Sequence, residues 1–157
     1  MTTRPSGHTQ EVELQGVGCQ PVRAMPAAVS KHMSVRRLMT VVLNEPLSQF
    51  TGNLHTLMAA DDAELVHQAR VAWRRFRTLV RLFRKQGWLL EAPALPALTP
   101  LVVALGALRD VDVARLETLP RLAGAWVNGD VALERACAQL QKKLTATSAR
   151  QLRGLRR

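Results

Sequence analysis

The residues with the clearest chemical potential are cationic side chains gathered in one short stretch. Between Leu65 and Leu90 the chain has seven Arg or Lys residues and no Asp or Glu. Arginine binds phosphate and carboxylate groups with two parallel hydrogen bonds and stays charged at physiological pH. This stretch therefore predicts the binding of a polyanion.

The spacing of these cations predicts that they share one face of a helix. At about 100° per residue, six of them fall with His67 in an arc of roughly 100°. The opposite side carries apolar residues, including Trp73 and Phe76, which we expect in a core. The predicted binding residues on this helix are His67, Arg70, Arg74, Arg77, Arg81, Arg84 and Lys85, with Arg75 beside the row.

A solvated basic face, with arginine stems covering apolar neighbours, is the alternative interpretation. Such a face usually relieves self-repulsion through Asp or Glu residues four positions away. This helix has no such residue along its basic stretch. The unrelieved repulsion favours a polyanion site.

Catalysis and metal binding find little support in the residue pattern. No Ser or Cys nucleophile stands at a recognisable spacing from His67, and Asp110 with Asp112 supplies too few ligands for a metal. We predict no enzyme activity, no metal and no cofactor. Asp110 is expected to orient an arginine of the basic helix through an ion pair. Arg109 is expected to join the binding cations or to complete that network.

Composition supports a polyanionic partner without naming it. The 157 residues suffice for one domain with a core, and 22 Lys and Arg against 12 Asp and Glu give a net charge of +10. The three Trp and three Phe are the only aromatic residues. Because those of the basic helix should be buried, the base-stacking surface of a single-stranded nucleic-acid binder is not expected.

Capping and helix-breaking residues predict the first two helices. The first should run from its N-cap Ser34 to about Met58, with a bend caused by Pro46. Asp61 is the predicted N-cap of the second, basic helix, and Gly87 should end it.

The third helix should begin near Pro96 or Pro100 and continue to about Leu119. Pro120 is expected to end it, and Gly124 and Gly129 are expected in the loop that follows. Four helices with short connections then predict an all-α, antiparallel four-helix bundle.

The fourth helix, with Asp130 as its predicted N-cap, carries a weaker basic arc. A solvated face and a second part of the binding site are equal alternatives for this arc. From this arc we add Lys142, Arg150 and Arg153 to the predicted site, and from the third helix we add Arg109.

Residues 1–30 lack periodicity and predict a mobile leader or vestigial segment, with residues 31–157 forming the bundle. Glu11–Gln15 faintly resembles the alternating glutamate strand of triphosphate tunnel enzymes, but it has no partner strands. Met1–Ser6 is polar and no apolar run follows, so neither a signal peptide nor a membrane span is expected. Cys19 and Cys137 are predicted to be free thiols. We expect a cytoplasmic protein.

Two motifs resemble those of a known family. Residues 62–77 (DAELVHQARVAWRRFR) resemble the signature helix of the CHAD domain, the conserved histidine α-helical domain, and residues 105–113 (LGALRDVDV) resemble its second signature. The resemblance covers about residues 21–157. It implies a helical domain that binds inorganic polyphosphate along a basic channel, without catalysis, and it suggests association with polyphosphate granules.

The resemblance also implies that the chain corresponds to one half of a CHAD domain. Apolar surface that would meet a second half should then be exposed, and a homodimer could rebuild the paired arrangement. Two other functions stay open. One is a basic helical module that binds nucleic acid, and the other is the non-catalytic fragment of a CHAD-containing triphosphate tunnel enzyme.

Overall fold

The computed structural model describes residues 20–89, 95–126 and 129–157, and these fold into helices joined by short turns. The helices are α1 (Val35–Leu57), α2 (Ala63–Lys85), α3 (Thr99–Val113), α4 (Leu119–Trp126) and α5 (Val131–Leu155). A 3-10 turn at Leu95–Leu98 precedes α3, and a π turn at Ala114–Thr118 joins α3 to α4 without a break. Since α3 and α4 form one continuous rod, the predicted all-α four-helix bundle is confirmed.

The helices pack in the order α1, α2, α3 and α5. A short connection joins α1 to α2. The beginning of α2 lies beside the later part of α3, where Arg70 approaches Gly106. The end of α2 lies beside the start of α3, where Arg84 and Thr99 line one cavity. These two helices are therefore antiparallel, and one side of α2 borders α3 along much of its length.

The apolar face of α2 forms the centre of the core. Leu65, Ala69, Trp73, Phe76 and Val80 are all buried. The ring of Trp73 contacts that of Phe50 on α1, with centroids 5.2 Å apart, and that of Phe76 at 5.8 Å. The prediction that the aromatic side chains of the basic helix are core residues is confirmed. Because this face is held by packing, the cationic arc opposite must face away from the core.

The predicted start of α1 is confirmed, whereas that of α2 is wrong by one residue. Ser34 is the N-cap of α1, and the helix passes through the buried Pro46 without interruption. The N-cap of α2 is Asp62, whose Oδ1 accepts a hydrogen bond from the amide of Glu64 at 2.8 Å. Asp61 instead pairs with Arg156 near the C-terminus, a contact between residues far apart in sequence. Gly87, with a φ of 70°, follows the end of α2 as predicted.

The predicted end of the third helix is wrong. Helix α3 begins at Thr99 with Pro100 in its first turn, as predicted, but the rod continues past Leu119 to Trp126 and includes Pro120 and Gly124. A π turn widens the helix just before Pro120 and shifts the carbonyl groups with which the proline ring would otherwise clash. Gly129 lies in the turn with a φ of 82°, and Asp130 is the N-cap of α5, as predicted.

Part of the predicted leader is anchored to α1. The side chain of the buried Asn53 accepts a hydrogen bond from the amide of Val22 at 3.0 Å and donates one to its carbonyl at 2.8 Å. The amide of Met25 donates to Glu45 at 2.8 Å. Residues 1–19, including Glu11–Gln15 and Cys19, lie outside the described residues, and their interpretation stays a prediction. None of the helices within the described ranges is long and apolar enough to cross a membrane.

Candidate anion-binding site

A cavity of about 470 Å³ lies between α2 and α3, and cationic side chains line it. We call it the basic groove. The cations and the histidine that line it are His67, Arg70, Arg74, Arg77 and Arg81 of α2 and Arg109 of α3. Its lining contains no Asp or Glu. This cavity brings together six of the twelve predicted site residues.

The outer edge of the groove consists of exposed arginines. Arg74, Arg77 and Arg81 are all exposed, and within the described part of the chain none of them forms an ion pair. Their position follows from the helix period, since each is three or four residues from the next. These guanidinium groups are available to an anion from solvent.

The inner wall contains half-buried groups. His67, Arg70 and Arg109 are each partly buried. Arg109, near the end of α3, donates a hydrogen bond to Glu117 of the following π turn at 2.8 Å. Sequence reasoning missed Glu117, because the two residues are eight positions apart and meet only across the π turn. This carboxylate is half exposed and neutralises part of the positive charge at that end of the groove.

The groove continues along α2 into a second cavity of about 680 Å³. Arg77, Arg81 and Arg84 form its α2 wall, whereas the facing wall is apolar and includes Val102 and Val103. His67 and Arg84 are 17 residues apart, which gives the basic row a length of about 26 Å along the helix. Lys85 is exposed at the end of α2 and lines neither cavity.

Arg75, predicted beside the row, points to the other neighbour of α2. Its guanidinium donates to both carboxylate oxygens of Glu45 on α1, at 2.6 and 3.2 Å, and to the amide oxygen of Gln49 at 2.9 Å. A rotation of about 100° separates consecutive helical residues, so Arg74 and Arg75 reach different helices. The structure therefore places Arg75 in the α1–α2 interface and not in the basic groove.

The three predicted site residues of α5 do not join the groove either. Lys142, Arg150 and Arg153 are exposed and line neither of its cavities. Helix α5 packs against α3 rather than α2, and its buried residues Ser148 and Leu152 lie on a different side of the helix from these cations. The two basic arcs are thus separate surfaces, and a binding role for the α5 arc stays a prediction.

The expected role of Asp110 is wrong. Asp110 is exposed and forms no ion pair with an arginine of α2. Asp112 is instead the buried carboxylate, accepting hydrogen bonds from the Ser148 hydroxyl at 2.8 Å and from Arg115 at 3.1 Å. The helix period could not separate these two aspartates, because only the packing of α5 decides which one meets a donor.

The arrangement of the cations suits a linear anion that follows α2. Guanidinium groups at intervals of one turn can each bind a phosphate of a chain that follows the helix. Among the described residues no group of three or more His, Cys, Asp or Glu side chains could hold a metal ion. Cys137, a partly buried free thiol, lies on α5 and does not line the basic groove.

Comparison with known proteins gives one match. The model of the CHAD domain family matches residues 41–157, which covers most of the chain and includes every residue of the basic groove. No curated protein and no solved structure matches the chain.

Proposed function

The chain belongs to the CHAD domain family, and on that premise we propose that it binds inorganic polyphosphate in the basic groove. The observation that carries the proposal is a lining of five arginines and a histidine with no carboxylate. Polyphosphate bears a negative charge on every phosphate, so it can pair with the α2 arginines of the groove, which form no ion pair with any described carboxylate. The family is itself associated with polyphosphate binding.

Binding should be dominated by electrostatics and counterion release. Each phosphate that an arginine neutralises releases condensed cations, so the affinity should fall steeply as salt is added. Affinity should also rise with chain length until a polyphosphate spans the row of about 26 Å. Short phosphates, which can contact only one or two arginines, should bind weakly.

We also propose that the site binds without catalysis, since its lining supplies cations but no carboxylate to act as a general base or to hold a metal. Incubation with tripolyphosphate and a divalent cation tests this, and release of phosphate by the pure protein would contradict it. Such phosphate release would favour an enzyme of the triphosphate tunnel type.

We further propose a cytoplasmic location with recruitment to polyphosphate granules, to be tested by imaging a fluorescent fusion.

The decisive test compares two charge reversals of equal size. Changing Arg74 and Arg77 to Glu inverts the centre of the groove, whereas changing Arg36 and Arg37 to Glu alters two exposed cations at the start of α1. Each lost phosphate contact should cost about 1–3 kcal/mol. The groove variant should therefore bind labelled long-chain polyphosphate about 30-fold more weakly or worse, by the usual tenfold per 1.4 kcal/mol.

The α1 control carries the same change in net charge and should lose far less affinity. Equal losses in both variants would mean that net charge alone attracts polyphosphate, and the site would be wrong. Duplex DNA and RNA enter the same assay as competitors. If either displaces polyphosphate at equal phosphate concentration, nucleic-acid binding becomes the better interpretation.

A further inference from the structure

One glycine of α3 lies unusually close to a guanidinium of α2. A Cβ placed on Gly106 would lie 2.7 Å from Nη1 of Arg70 and 3.7 Å from its Cζ. The first of these distances is shorter than van der Waals contact allows. The head of Arg70 therefore occupies the space that any other residue at position 106 would fill.

The backbone itself gives no reason for a glycine at this position. Gly106 lies inside α3, where glycine destabilises a helix relative to alanine. Its φ is helical, since positive values among the described glycines occur only at Gly87 and Gly129. Gly124, also helical, differs from it, because a Cβ built there would meet no described atom within 4 Å outside its own stretch of helix. What distinguishes Gly106 is its contact with Arg70.

We propose that Gly106 is a positioning residue that seats the Arg70 guanidinium against the α3 backbone, on the inner wall of the basic groove. Arg109, one turn further along α3, lines the same cavity. Arg70 is half buried, whereas Arg74, Arg77 and Arg81 are exposed. A guanidinium held in place loses less conformational freedom when it binds phosphate. The consequence for affinity rests on the proposed polyphosphate function.

The test is Gly106→Ala, with Gly124→Ala as the matched control. Both changes add one methyl group and the same gain in helix propensity, so each variant should melt at the wild-type temperature or above it. In Gly106→Ala the flexible guanidinium of Arg70 can move away from the added methyl group. The fold is then preserved, but the contact between Arg70 and the α3 backbone is lost. Its affinity for long-chain polyphosphate should fall about threefold to tenfold, the usual cost of immobilising one such side chain. Gly124→Ala should bind like wild type.

A double-mutant cycle shows whether the effect passes through Arg70. Arg70→Ala should weaken binding, and adding Gly106→Ala to it should change the affinity no further. The slope of log affinity against log salt should become shallower by about 0.7 when the contact is lost, as for a single-stranded polyanion. A drop in melting temperature, or an undiminished effect of Gly106→Ala in the Arg70→Ala protein, would show that Gly106 serves only the fold.

A measurement without ligand separates this inference from the proposed function. Nitrogen-15 relaxation of the Arg70 side chain should show an ordered guanidinium in the wild type and a mobile one in Gly106→Ala. Equal mobility in both proteins would overturn the positioning role. If Gly106→Ala frees the guanidinium but the wild type binds no polyphosphate, the positioning role stands and the proposed function fails.

Discussion

Replacing Arg74 and Arg75 by alanine, one at a time, should separate binding from stability at two adjacent positions. Arg74 is exposed in the basic groove, and Arg75 is held by Glu45 and Gln49 of α1. Both variants lose one positive charge and one arginine stem. Any difference between them therefore comes from the direction in which each side chain points.

The cost of Arg75→Ala follows from its contacts. The ion pair has an N–O distance of 2.6 Å, and the Glu45 side chain is only 16% exposed. A hydrogen bond to a charged group contributes about 1.5–3 kcal/mol, but the Arg75 side chain is 36% exposed, and solvent screening lowers its share toward that of a surface pair. We expect a loss of about 1–2 kcal/mol in the free energy of unfolding. In a chain of this size that lowers the melting temperature by about 2–8 °C.

Arg74→Ala should do the reverse. A surface substitution of this kind changes stability by less than about 0.5 kcal/mol, but the loss of a phosphate contact should weaken polyphosphate binding about 5-fold to 100-fold. Thermal unfolding and anisotropy titration with labelled long-chain polyphosphate measure the two quantities on the same samples. If Arg75→Ala weakens binding as much as Arg74→Ala and leaves the melting temperature unchanged, the division of α2 into a groove face and an α1 face is refuted.

Three further predictions concern the buried carboxylate, the end of α2 and the assembly. Asp112→Ala should lower the free energy of unfolding by about 2–4 kcal/mol in denaturant titrations, because it leaves the donors of Ser148 and Arg115 without their acceptor. A loss below about 1 kcal/mol would mean that water replaces the carboxylate. Gly87→Ala should cost about 1 kcal/mol because of its positive φ, whereas Gly124→Ala should not destabilise, and equal melting temperatures would contradict this. Two chains of charge +10 should repel each other, and long polyphosphate should bridge them. Light scattering should therefore show a shift from monomer toward dimer when long polyphosphate is added, and a molecular mass that never rises would exclude bridging.

The charge and apolar patterns of α2 were enough to predict its buried aromatic face and its outward-facing row of arginines. Its cations and aromatic residues repeat with the helix period, and both sets obey the same geometry, so burying Trp73 and Phe76 necessarily turns the arginines outward. Local signals were sufficient at three helix ends, although they indicated Asp61 in place of Asp62 as the N-cap of α2 and ended the third helix at Pro120. Ser34, Gly87 and Asp130 act on backbone groups of their own turn, and their predicted roles are confirmed.

Tertiary structure decided everything that depends on which helix lies beside which. The period places Arg74 and Arg75 about 100° apart but cannot say that one faces α3 and the other α1. The α5 cations lie outside the basic groove because α5 packs on α3. The contact between Arg70 and Gly106 spans two helices and involves a residue without a side chain. Such pairings depend on the distance between helix axes and on packing at the interface, which a periodic pattern in one helix does not contain.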